Sequence, residues 1–321
     1  MRRHIVLTAL LRYVALVVAC VFAGHGYSAP LAFASNQKSN TVTVVDTGTQ
    51  QVIKTIGTGS EPAGVSVDRK DQWVFVSNPG DGSVSVIDVN KLEVHRTLKV
   101  GSGPLALIAG TENLYVADWY DDVISVIDTE TWVEKRKIPV GNSPSGLLLS
   151  PDANTLYVSN RDDNNVMSID TATGEITGTC ATGERPFGMI LDRTGSRIFV
   201  ANVHSNSVTV IDATTMQAIA NITVGDRPYA VSLALKDSLA FVTNQYDDNL
   251  SVIDTKTYTE IAMIDVEEYP EGIATHPDDR HIYVANWFSN TISVVDAETL
   301  ETVHTIDAGD GTRAYGNFIT R

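Results

Sequence analysis

Cysteine is nearly absent, with two in 321 residues. That is too few for a disulfide scaffold or a four-thiolate metal site, and no Cys-x-x-Cys-His marks covalent haem attachment. Basic residues are also scarce. Twenty-three Lys and Arg stand against 39 Asp and Glu, a formal charge of -16. That sign opposes binding driven by phosphate neutralisation or anionic lipid, so nucleic acid is a disfavoured partner. No Gly-x-Ser-x-Gly elbow, phosphate loop or paired metal-His spacing occurs, and no cofactor or metal is expected. No window keeps a helical period long enough to build a helical domain. What the chain has instead is 43% hydrophobic residues with 23 Gly and 11 Pro, ample for a globular core.

Residues 1–28 differ from the rest. Arg2, Arg3 and Arg12 precede an apolar run from Tyr13 to Ala23 and a short polar stretch to Ser28, the order of a signal peptide. The run is too short to span a bilayer, and no later segment offers 18 continuous apolar residues. A periplasmic or secreted protein without a transmembrane span is expected, cut after Ala23 or Ser28. Losing three arginines takes the charge to about -19. Val17-Val18-Ala19-Cys20 also resembles a lipobox, which would make Cys20 a lipidated N-terminus, and this alternative stays open.

Internal repetition decides the fold. Phe33-Ala34-Ser35-Asn36 recurs as Phe75-Val76-Ser77-Asn78, Tyr115-Val116-Ala117-Asp118, Tyr157-Val158-Ser159-Asn160, Phe199-Val200-Ala201-Asn202, Phe241-Val242-Thr243-Asn244 and Tyr283-Val284-Ala285-Asn286, at steps of 42, 40, 42, 42, 42 and 42 residues. An apolar stretch ending in Asp46, Asp88, Asp128, Asp170, Asp212, Asp254 or Asp296 follows each aromatic by 13 residues. Most units also hold a Gly-x-x-Pro turn, and each has room for four short strands, the size of a propeller blade. The expected fold is all-β: a single seven-bladed β-propeller over 29–321, built of four-stranded blades. The Asn and Asp landmarks are expected to set turns by bonding backbone N–H groups. The first unit lacks its opening strand while the chain overshoots at its end. Residues 314–320 should therefore form the inner strand of the first blade, beside strands near 31–35, 42–46 and 52–56, closing the ring.

Tyr283-Val284-Ala285-Asn286, Ile292-Ser293-Val294-Val295-Asp296 and the Gly-x-x-Pro turns resemble the YVTN family of seven-bladed β-propeller repeat proteins. Asp118 in place of the motif Asn, a second unit two residues short near Ala109-Gly110-Thr111, and Thr312 in place of the turn Pro are modest departures. The resemblance implies a bacterial or archaeal envelope protein, periplasmic or surface-attached. Related propellers include lactonases, virginiamycin-lyase-like enzymes, d1-haem domains and subunits of quinoprotein amine dehydrogenases, but a shared fold does not transfer chemistry.

In propellers the loops after the second strand and those entering each inner strand share one face, the expected binding surface. In register these loops offer Trp119, Tyr120, His204, Tyr246, Trp287 and Phe288, and around the turns Arg185, Phe187, Arg227, Tyr229 and Arg313. Arginines beside aromatic rings suit a carboxylate, a phosphate or the acidic tip of a protein partner. The plainer alternative pairs those arginines with Glu184, Asp226 and Asp310. The carboxylate pairs Asp121/Asp122, Asp162/Asp163 and Asp247/Asp248 are read as solvated loop residues rather than Ca²⁺ ligands. Cys180 falls in an apolar register and reads as a buried inert thiol. The functional expectation is a monomeric, non-catalytic exported propeller that binds an envelope protein or small anion, as an accessory to a redox or metal-handling system. The alternative is an enzyme or enzyme subunit, lactone-hydrolase-like or quinoprotein-dehydrogenase-like, using His204, the arginines and loop carboxylates.

Overall fold

The computed structural model describes residues 29–321. The expected export segment, Cys20 and both candidate cleavage positions lie outside the described residues. Each repeat folds as an antiparallel sheet in simple meander order, and the seven sheets form a seven-bladed β-propeller. In blade 6 the strands are Pro228–Ala234, Leu239–Asn244, Asn249–Asp254 and Thr259–Asp265. The two middle strands are buried on both faces because each blade is sandwiched between neighbours. The outermost strand buries little beyond Ile264. The motif aromatics Phe33, Phe75, Phe199, Phe241 and Tyr283 are among the largest fully buried side chains.

The landmarks are structural, in two different ways. Each outer Asp accepts backbone N–H groups two and three residues on, as Asp212 does from Thr214 and Thr215 at 3.0 and 2.8 Å. The residue after this turn takes a left-handed conformation, such as Met216 (φ 52°) or Leu300 (φ 58°). The motif Asn differs from expectation. Its amide nitrogen donates across to the third strand, Asn202 Nδ2 to Ser207 and Thr209 Oγ at 3.1 and 2.9 Å. The side-chain oxygens of Asn36 and Asn160 also accept backbone N–H groups as expected, from Gly309 and Gly141, and Asp118, which lacks the donor, accepts four, from Ser102, Gly103, Tyr120 and Asp121.

Blade 1 contributes Leu31–Asn36, Thr41–Asp46 and Gln51–Gly57, and the C-terminal segment completes it. Phe33 N donates to Phe318 O (2.8 Å), Arg313 N to Ser35 O (2.8 Å) and Thr320 N to Leu31 O (2.9 Å). The segment is not the regular strand expected. It turns through left-handed Ala314 (φ 46°) and Gly316 (φ 112°), so that Tyr315 and Asn317 carbonyls accept Val65 N and Val67 N of blade 2. It thus stitches two blades at once, which explains the short inner strand Val65–Val67.

Candidate functional site

The chain enters blades 2 to 6 at the upper face through a Gly-x-x-Pro turn, blade 7 through Glu267-x-x-Pro270 and blade 1 through Gly309-x-x-Thr312. Immediately past the proline the inner strand slips register against its neighbour, between Pro104 and Leu107, Pro186 and Met189, and Pro228 and Val231, and again in blades 4 and 7. A bulge re-aims side chains. Here it turns the residue after the proline towards the axis, giving one residue per blade at the throat: Ala63, Leu105, Ser145, Phe187, Tyr229, Glu271 and Arg313. The next position is small in every blade: Gly64, Ala106, Gly146, Gly188, Ala230, Gly272 and Ala314. A Cβ on Gly64, Gly146 or Gly188 would come within 2.3–2.6 Å of the adjacent throat carbonyl. Several of those carbonyls are fixed by motif hydroxyls one blade away: Ser77 to Leu105 O (2.6 Å), Ser159 to Phe187 O (2.8 Å) and Thr243 to Glu271 O (3.2 Å).

The throat side chains meet across the axis. Phe187 of blade 5 lies 4.2 Å from the Tyr229 ring and 5.2 Å from that of Tyr315, which belongs to non-adjacent blade 1. Tyr315 and Phe187 therefore span the channel. Above them sits a buried charge network. Arg313 Nη2 donates to Tyr229 Oη (2.6 Å), and its Nε faces Glu271 Oε2 at 2.6 Å, off the hydrogen-bond axis. Gln245 Nε2 donates to Glu271 Oε1 (3.0 Å). Burial raises the Glu271 carboxyl above its ordinary value even beside Arg313. For Arg313, burial opposes the charge, but Glu271 and Tyr229 outweigh it and the guanidinium is held charged. Phe187, Tyr229 and Arg313 thus form the floor of the upper face rather than its surface.

Around the rim the remaining arginines are half-buried. Arg185 and Arg227 stand at left-handed turn positions (φ 57° each), tied down when Asn164 and Asn206 accept their backbone N–H groups. Neither has a carboxylate within ion-pair distance among the described residues, so the pairing with Glu184 or Asp226 does not form. Arg313 pairs with Glu271, not Asp310. Arg185 Nη1 lies 3.2 Å from His204 Nε2; since arginine can only donate, this geometry takes His204 as neutral. The His204 pKa lies below its ordinary value, through desolvation and then the charges of Arg185, Arg227 and Arg161. Arg161 reaches over Trp119 (5.2 Å) and pairs with Asp162, while Arg227 lies 5.2 Å from the Tyr246 ring.

Trp287 and Phe288 join a second group, with Tyr269 packed on both and on Tyr246 and with Lys38 Nζ 3.9 Å from the Trp287 ring. Tyr246 and Phe288 are more than half exposed. Tyr120, 71% exposed, lies over Gly103 and makes no contact with either group. The structure adds Arg161, Glu271, Gln245, Tyr269 and Tyr315 to the residues singled out from sequence. Arg161, Gln245, Tyr269 and Glu271 stand at the same in-register loop and turn positions as the residues chosen from sequence; Tyr315 carries no comparable signal, because its blade is completed from the other end of the chain. Of the acidic pairs, Asp122 and Asp248 accept backbone N–H groups of the turn entering the next blade, and Asp163 and Asp247 those of the turn entering their own. They are structural ties, and no cluster of three metal-ligating side chains occurs among the described residues. Cys180 is buried and its thiol pKa raised by desolvation.

Comparison with known proteins agrees with the architecture. The sequence profile described as YNCE-like β-propeller matches residues 99–187 and 232–310, just over half of the chain. Among solved structures, Kuenenia stuttgartiensis hydrazine synthase is similar over 82% of this chain and 91% of that one, with TM-score 0.75 and 22% identity. A functionally unknown protein from Desulfotomaculum acetoxidans is similar over 89% and 99%, with TM-score 0.77 and 12% identity. The dihydro-heme d1 dehydrogenase NirN, in complex with DHE, is similar over 91% and 74%, with TM-score 0.67 and 13% identity. At these identities the likeness concerns fold alone. No curated protein matches the sequence.

Proposed function

The chain belongs to the YNCE-like β-propeller family, and we propose that it is an exported, non-catalytic binding protein whose upper face takes a small anion carrying carboxylate or phosphate groups, free or on the tip of an envelope partner. The observation that carries this reading is a pair of arginines, Arg185 and Arg227, left without carboxylate partners in a chain of formal charge -16. In so acidic a molecule an unpaired guanidinium is easily neutralised by neighbours. Two that escape, rigidly mounted on strained turns beside Arg161 and His204, are poised for bidentate contact with an anion. The flanking rings of Trp119 and Tyr246 orient the guanidinium planes and supply apolar contact. YVTN-type motifs and the N-terminal segment support placement in the periplasm or outside the cell.

Calorimetric titration with inorganic phosphate, pyrophosphate, succinate and citrate tests the site. At least one should bind, weakening tenfold or more in Arg185→Ala/Arg227→Ala while the melting temperature stays within about 2 °C, as for surface changes. Equal binding by the double variant would remove the site. Mass spectrometry of the mature N-terminus tests export, separating cleavage after Ala23 or Ser28 from lipidated Cys20.

A further inference from the structure

Below the Phe187–Tyr229–Tyr315 plug the axis opens again. A cavity of about 300 Å³ is lined by the inner strands of blades 2 to 7 and by residues 315–317, within the size range of small-molecule sites. Its wall is aliphatic: Leu107, Leu147, Met189, Val231 and Ile273 stand one position below the small Gly/Ala ring, and Tyr315 occupies the same position in blade 1 as its roof. An apolar group seated against this part of the wall is removed from water. The lower mouth faces the side opposite the arginine rim.

The mouth also selects for charge. Its charged lining groups are Arg193 and Asp237, and they are spent on each other: Arg193 Nε donates to Asp237 (3.0 Å) while Nη2 donates to Asp279 (3.1 Å). Among the described residues no other cationic side chain lines the cavity. The remaining polar side chains of the lining are Ser66, Ser232, Thr275 and Asn317: Thr275 donates to Leu233 O (2.8 Å) and accepts from Ser232 (2.6 Å), which leaves Ser232 Oγ as an acceptor, and the exposed Asn317 amide makes no side-chain hydrogen bond among the described residues. Burying an ionised head group here would carry a desolvation penalty with nothing to offset it, whereas a hydroxyl or amide would be satisfied.

We propose that the lower half of the channel is a second binding site, for a small uncharged and largely aliphatic molecule whose single polar group, a hydroxyl or amide, sits at Ser232, Thr275 and Asn317. The site is independent of the upper rim, from which the plug separates it.

The neutral fluorophore N-phenyl-1-naphthylamine probes it. Saturable enhancement with one site per chain is expected, competed by 1-octanol at least tenfold more effectively than by octanoate. Enhancement should weaken tenfold or more in Met189→Trp and in Val231→Phe, which fill the cavity, and persist in Tyr246→Ser/Phe288→Ser, which removes exposed rings above. As a measurement that leaves the wall intact, maleimide labelling of Asn317→Cys should slow at least threefold with octanol present. Absence of saturable binding, equal competition by octanoate, loss of signal in the Tyr246/Phe288 variant with retention in the folded channel variants, or unchanged labelling would each overturn the proposal.

Discussion

The two ends of the same inner strands make opposite environments. At the upper end, one residue past the turn proline or, in blade 1, past Thr312, the throat carries Tyr229, Glu271 and Arg313 beneath a rim that holds the unpaired Arg185 and Arg227. Two positions further down, the wall is Leu107, Leu147, Met189, Val231 and Ile273. The transition takes a few residues of strand because a bulge at the turn aims the first position at the axis while the ring of Gly and Ala below it brings the strands together. Channel character is therefore set by blade register rather than by blade identity. A propeller can carry a polar and an apolar site on one axis when a bulky side chain from the closing segment, here Tyr315, lies between them.

The harshest way to break this comparison is to delete residues 312–321. That removes Tyr315 from the plug, Arg313 and the closing contacts of blade 1 together. Losing buried Tyr315, Phe318 and Ile319 alone costs about 6 kcal/mol by area, so a fall of 10 °C or more is expected in a thermal melt. An unchanged melt would refute closure by this segment. Glu271→Ala comes next. It strands the buried Arg313 charge and should destabilise by about 3–5 kcal/mol in urea unfolding, whereas Glu271→Leu/Arg313→Met should recover most of that loss. If the double substitution is as costly as the single, the pair is not what sets the floor's stability.

The smallest effect is the sharpest about the rim. The pKa of His204 is depressed by desolvation and by Arg185, Arg227 and Arg161. An anion bound there offsets the arginines and favours the imidazolium, so its pKa should rise towards the ordinary histidine value. By linkage, affinity must then strengthen as pH falls through the His204 pKa. An NMR titration of His204 with and without phosphate measures both. A pKa unmoved by saturating ligand would place the anion elsewhere, and an apolar occupant of the lower channel should leave it untouched.

Much of the architecture was legible without coordinates, because the Asn and Asp landmarks repeat in phase and each repeat closes its own hydrogen bonds. The site was legible only in part. Arg185 and Arg227 were visible as loop residues, but their freedom from Glu184 and Asp226 depends on where left-handed turns aim neighbouring side chains. Phe187, Tyr229 and Arg313 were read as surface groups. The bulge after the proline buries them, and a bulge leaves no mark in local composition. The acidic pairs gave no hint of binding backbone N–H groups of the entry turns about 21 residues away, in their own blade or the next.

By itself the sequence determined the blade count, the strand order and the face carrying the variable loops, all consequences of local periodicity and turn chemistry. Only the tertiary structure decided that Arg313 meets Glu271, that Tyr315 crosses from blade 1 to Phe187 of blade 5, and that the lower channel is apolar. Those contacts join residues tens to hundreds of positions apart, and they exist only because the ring closes on itself.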